Sequence, residues 1–479
     1  MPGLFIAIHD APVRALMHTL MHTLMHTLTH TLMRVLMRAA RVLFPAVMIV
    51  MTGTTVGSAG MIRDSEIEAG LETLIAPMVT AAGFAPGEIA VRVVLDPDYN
   101  AFVAGKRVIY VHSGLLAKAG DVREYLGVMA HELGHLKEGH VQRLDDALQQ
   151  ANSTATAATL VAIALAAGTG SGDAAAGVLI GGNDTAVRGF LASRRRNEAV
   201  ADEIGIELLE ATGTSAVGLR DLMARMARQR SIPESRKATY YSTHPGANER
   251  LRTLQDHVNR SPHSETEAHP HAVEIYQRLT AKLQAWTEAP QRILARADKL
   301  APDATMASYM MAISEFRRGD LTAALVHMDA LVAQFPEDTF FHEFRGDILF
   351  ALARTEEAAS AYEAALKHLP QSMLIKLSLG RALIAGGSDA ELTRATQVLR
   401  EARDSEPNWA FLHRQYGIAL GRLGQISEAD LALADEAILL GDRQRAAQLA
   451  KRVLAREEVS QVVQSRASDI LFRYGRDAE

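Results

Sequence analysis

The sequence predicts an α+β domain, mostly helical with a small β-sheet, followed by an all-α array of stacked helix pairs. Three observations predict it. Short β-branched runs cluster in residues 91–111, between segments whose apolar residues recur at helical spacing. Beyond residue 300, proline, glycine and alanine each recur at intervals of 34. The 479 residues are 48% hydrophobic and 22% charged, a globular balance at a length of about three domains. The formal net charge of −6 gives nucleic acid no electrostatic purchase. There is no cysteine, so disulfides, thiolate nucleophiles and cysteine-held metals are excluded, and a metal must rest on His, Asp or Glu.

Residues 17–32 repeat the tetrapeptide pattern MHTL and read as a low-complexity extension ahead of an alternative start at Met33. Arg34, Arg38 and Arg41 then precede the apolar stretch 42–51 and the small residues Gly57 to Gly60. A basic region, a short apolar core and a small-residue site predict a secretory signal cleaved near Ala59, and hence a periplasmic or otherwise exported protein. Ile67, Leu71, Leu74, Ile75 and Met78 place a helix over about 62–83, ended by Gly83. Strands follow at 91–95, 101–104 and 107–111, the last two joined through Gly105-Lys106 in a hairpin. An extended peptide is expected to add as a further strand along 107–111. A long helix is expected from Val122 to Gln150, and another from Ser193 to Ala211. The apolar run at 159–168 reads as a helix or loop over the site, with peripheral membrane contact as the alternative.

His131-Glu132-Leu133-Gly134-His135 carries the chemistry. Histidines at i and i+4 of a helix share one face, so both imidazoles reach a single Zn²⁺, while Glu132 reaches a water in the open position. A catalytic zinc needs a third protein ligand. His140 is one residue out of register for the pattern that would make it a ligand, and is expected behind the site or on the helix surface. Glu198 is the better candidate, with Asp202 one turn later suited to orienting a ligating imidazole.

These two segments, together with Thr243-His244-Pro245 and Arg250 downstream, resemble peptidase family M48. Asn100–Val103 and Val111–Leu116 resemble that family's substrate-side strand and turn, and the resemblance covers about residues 62–256. It implies a zincin-like metallopeptidase domain of gluzincin type, with one zinc per chain held by His131, His135 and Glu198 and with Glu132 as catalytic base. It also implies that His244 either stabilises the oxyanion or closes the metal as a fourth ligand. After the signal no run of about 20 apolar residues occurs, which places the resemblance on the soluble, exported branch.

Pro302, Pro336 and Pro370 are 34 apart, as are Gly346 and Gly380, and Ala324 and Ala358, which is the period of tetratricopeptide repeats. Pro407 follows after 37, and the three extra residues are assigned to the Gly386-Gly387-Ser388 turn. About four repeats plus capping helices are expected, forming a solenoid with a concave face for protein partners. The expected organisation is an extension and signal at 1–59, the peptidase domain at 60–257, a linker at 258–271 and the repeats at 272–479. The expected activity is zinc-dependent endoproteolysis of unfolded or misassembled envelope proteins, with the repeats choosing partners. The alternative is a chaperone or assembly factor whose zinc site stays latched.

Overall fold

The computed structural model describes residues 60–105, 107–140, 184–228, 244 and 247–475. The expected signal and low-complexity run within 1–59, and the apolar run at 159–168, lie outside the described residues.

Asp64 opens helix α1 (Ser65–Ala81), its side chain accepting from the Ile67 amide. The predicted stripe from Ile67 to Met78 is buried and packs on a four-stranded sheet of order β1-β2-β4-β3. The strands are β1 (Gly60–Ile62), β2 (Ala90–Leu95), β3 (Ala101–Ala104) and β4 (Val108–His112). β2 and β4 run parallel, while β1 with β2 and β3 with β4 run antiparallel. Gly105, at φ +71°, turns the β3–β4 hairpin as the sequence leads one to expect. The expectation of a peptide adding along 107–111 fails, because β4 is already paired on both sides. Among the described residues the edge strands are β1 and β3.

α2 (Ser113–Lys118) leads into α3 (Val122–Lys137), which Asp121 caps by accepting from the Arg123 and Glu124 amides. The expected single helix to Gln150 breaks after Lys137, where Gly139 takes φ +63°, a left-handed conformation that ends a right-handed helix. α4 (Asp184–Ala211), α5 (Val217–Arg228) and α6 (Ala247–Val258) complete the helical part.

α7 (Pro270–Thr287) belongs to two cores. Tyr276, Leu279 and Leu283 pack with the sheet and α3, whereas Ala281 and Ala285 pack with the repeats. Two short helices follow, α8 (Pro290–Leu294) and α9 (Ala297–Leu300). The repeats are helix pairs: α10 (Ala304–Arg318) with α11 (Leu321–Gln334), and α12 (Thr339–Ala351) with α13 (Thr355–His368). Next come α14 (Met373–Gly386) with α15 (Asp389–Ser405), and α16 (Ala410–Arg422) with α17 (Ile426–Leu439). α18 (Arg443–Leu454) and α19 (Gln461–Tyr474) close the array.

The period has a packing cause. A Cβ on Gly346 would sit 2.7 Å from the Tyr362 ring, and one on Gly380 2.5 Å from Leu399, so each glycine lets its pair close. The buried Ala324 and Ala358 fill the matching position on the second helices. The three residues assigned to the Gly386–Ser388 turn lengthen the next helix instead. α15 has 17 residues where α13 has 14, and a Ser388/Glu391 capping box starts the added turn.

The helices α10 and α12, the first of their pairs, meet the start of the peptidase domain. Lys282 on α7 is buried between Asp64 and Glu66, with Nζ–O distances of 2.8 and 2.9 Å. Arg278 joins Glu66 to Asp338, and the Tyr309 hydroxyl donates to Glu66 at 2.9 Å. Ser65 donates to Glu343 on α12, and Arg63 reaches Glu406 at 2.9 Å while stacking over Trp409. The start of the chain's own α1 therefore occupies part of the surface of the repeats. Among the described residues, no helix is long and apolar enough to cross a membrane.

Candidate metal centre

The site forms where α3 crosses α4. A Cβ on Gly134 would meet the Ala201 carbonyl oxygen at 2.6 Å, so glycine there permits backbone contact between the two helices. Ala201 is fully buried at the crossing, whereas Ala199 is exposed. The close crossing carries Glu198 and Asp202 to the two histidines of α3.

One ligand atom each from His131, His135, Glu198 and His244 lies within 4.8 Å of the others. His131 Nε2 is 3.2 Å from His135 Nε2 and 3.4 Å from Glu198 Oε2. His135 Nε2 is 3.6 Å from Glu198 Oε1. His244 turns Nδ1 into the group, 3.2 Å from His131 Nε2 and 3.0 Å from Glu198 Oε2. Its Nε2 faces outward, 3.4 Å from the Ala101 carbonyl of β3 and 3.6 Å from Glu132 Oε1. All five predicted site residues thus come together, from three separate stretches of sequence.

The surrounding groups favour a cation. Burial alone would keep His131 neutral, and Arg250 adds to that, but hydrogen bonds to Asp202 and Glu198 lift it to about 9. Burial likewise raises the Glu198 carboxyl, yet His244, His131 and Arg250 outweigh it and hold it well below the carboxylate range. Burial pushes His135 well below its usual value, leaving its nitrogen lone pair available. Burial pushes Glu132 up. Glu132 Oε1 is buried without a hydrogen-bond partner, and an orphaned carboxylate oxygen beside a ligand cluster is where a water would sit. Two imidazoles on one helix face, a carboxylate and a nearby base are the donor set that zinc takes, so the residues fit the ion.

Asp202 accepts at 2.9 Å from His131 Nδ1, the orienting role expected of it. Arg250 is the residue whose role sequence reasoning did not assign. It is 5% exposed, grips Asp202 through Nε at 2.6 Å and Nη2 at 2.7 Å, and donates to Glu198 at 2.9 Å. Its charge holds two neighbouring carboxylates in place. The only sequence signal was an arginine six residues after His244 on a helix, with nothing to mark its distant partners.

A helical sheet-backed domain with an H-E-x-x-H helix, a glutamate from a crossing helix and a buried candidate base defines the metallopeptidase class. The model of peptidase family M48 matches residues 62–258. The chain is similar to metalloprotease LoiP of Escherichia coli (strain K12), 29% identical over 175 residues that cover 35% of this chain and 62% of that protein. It is also similar to the beta-barrel assembly-enhancing protease of Yersinia pestis, 23% identical over 426 residues that cover 85% of this chain and 83% of that protein. The protein of that name in Escherichia coli (strain K12) is 22% identical, over 70% of this chain and 68% of its own length.

Proposed function

We propose that the chain is an exported zinc metalloendopeptidase acting on unfolded or misassembled envelope proteins, with its repeat array supplying partner contacts. The observation that carries the reading is the convergence of His131, His135 and Glu198 beside the orphaned oxygen of Glu132. The envelope role rests on similarity to proteases whose name states that they enhance beta-barrel assembly, and export rests on the signal pattern before Gly60. Sequencing the mature N-terminus should read a start near Gly60; a chain that retains residues 17–32 would remove the export reading.

His131, His135 and Glu198 would hold the zinc, which supplies Lewis acidity toward a carbonyl and its attacking water. Glu132, whose carboxyl burial pushes up, accepts the water proton through Oε1 and returns it to the leaving amine. The peptide lies extended along β3, whose Ala101 carbonyl already points to His244. Main-chain hydrogen bonds along an open strand edge accept many side chains, which suits a triage enzyme.

The position of His244 Nδ1 among the ligands favours a second reading for the resting state. As a fourth ligand it closes the set, leaving no open position until it swings away, and a permanently closed site would make the chain an assembly factor. His244→Ala should therefore hydrolyse an unfolded substrate faster than wild type at equal zinc occupancy. A fall of about 10²–10³ in kcat would assign His244 to the oxyanion instead. Equal rates would exclude both roles.

A further inference from the structure

Behind the two histidines of the ligand set stand two different partners. His131 Nδ1 meets the Asp202 carboxylate, whereas His135 Nδ1 meets His140 Nδ1 at 2.8 Å. The two rings are 5.0 Å apart at 68°, an edge-on arrangement that aligns one nitrogen with the other. His140 is 8% exposed.

The contact depends on the break in α3. Five residues along a continuous helix turn a side chain by roughly 140° from the starting face, so His140 on an unbroken helix would point away from His135. Gly139 at φ +63° ends α3 and folds the chain back. We propose that His140 is a positioning residue for His135, accepting its Nδ1 proton and thereby fixing the tautomer and ring plane that present Nε2 to the metal.

The chemistry explains why an imidazole suits this place. An imidazole that binds a metal through Nε2 carries its proton on Nδ1 and needs an acceptor there. Asp202 is neutralised by Arg250, so one carboxylate ligand, Glu198, faces the cation. A second unneutralised carboxylate behind His135 would lower the net positive charge on which Lewis acidity depends, whereas an imidazole nitrogen can accept the proton without bringing a negative charge. His135 is also the more exposed of the two, with its side chain 12% accessible, and gains most from a partner that holds it.

The inference rests on the zinc-site reading. Its test is zinc affinity of the full chain by chelator competition, in wild type, His140→Leu and His140→Gln. Leucine fills the space without accepting, while the glutamine side-chain oxygen can accept the same N–H. His140→Leu should lose about 10- to 100-fold in zinc affinity, and His140→Gln should stay near wild type, with both zinc-free variants melting alike. Wild-type affinity in His140→Leu, or equal losses in both folded variants, would overturn the proposal. Should His140→Leu not fold, ring-nitrogen NMR of zinc-loaded wild type decides, since a His135 protonated at Nε2 rather than Nδ1 overturns it. Failure of the zinc-site reading looks different: the wild-type chain itself would take up no stoichiometric zinc.

Discussion

Glu132→Gln should keep one zinc per chain and a wild-type fold yet lose hydrolysis of an unfolded substrate such as casein by about 10²–10⁴-fold, the usual contribution of general base catalysis. Glutamine keeps the shape and cannot take a proton. Glu132 is not among the four clustered ligand residues, so metal content should not follow activity. Glu198→Ala is the contrasting variant, since it removes a proposed ligand and should lose metal and activity together. Hydrolysis at the wild-type rate by Glu132→Gln would end the proposed mechanism. Loss of zinc in Glu132→Gln would move that residue into the ligand set.

Glu66→Ala should cost about 3–5 kcal/mol at neutral pH, because it strips one partner from a buried ionic group and leaves Arg278 and Lys282 short of negative charge. Denaturant unfolding measures the loss, and faster proteolytic cleavage in the segment between Val258 and Pro270 would locate it at the junction of the two domains. The pH dependence carries the sign. Burial raises the Glu66 carboxyl, but Lys282 and Arg278 outweigh it and bring it from 4.5 to about 2. A depressed carboxylate contributes fully above its unfolded value and loses that contribution as pH falls toward its folded one. The gap between wild type and variant should therefore be widest above about pH 4.5 and shrink toward pH 2. Asp347, which burial pushes up to about 6, is unaltered in both proteins, so its opposite trend cancels in the comparison. A gap independent of pH, or a difference below about 1 kcal/mol, would show that the network does not hold the domains together.

Local chemistry made much of this protein legible from its residues. The H-E-x-x-H spacing is a property of one helix, so His131, Glu132 and His135 could be grouped without a fold. The helix of residues 65–81 and the repeat pairs follow from apolar spacing and from a 34-residue period whose glycines and alanines are packing positions. Glu198 and His244 were reachable only through a companion motif, because nothing local marks a residue that acts 63 or more positions away from the ligands it joins.

Tertiary structure decided the rest. Which strands lie at an edge depends on pairing order, and the order β1-β2-β4-β3 puts Gly60–Ile62 and Ala101–Ala104 there rather than 107–111. Only the crossing at Gly134 and Ala201 brings Asp202 behind His131, and only the packing of α6 adds Arg250 to it. The left-handed turn at Gly139 brings His140 behind His135, where apolar periodicity alone had continued the helix. The part of the repeat surface occupied by Arg63, Ser65 and Glu66 could not be read either, since complementary charges pair only once both domains exist and their desolvation is shared. Sequence determined which side chains can do chemistry and which segments repeat. The packing of distant helices decided which of those side chains meet, because orientation and burial, on which metal affinity and proton transfer depend, are properties of the assembled core.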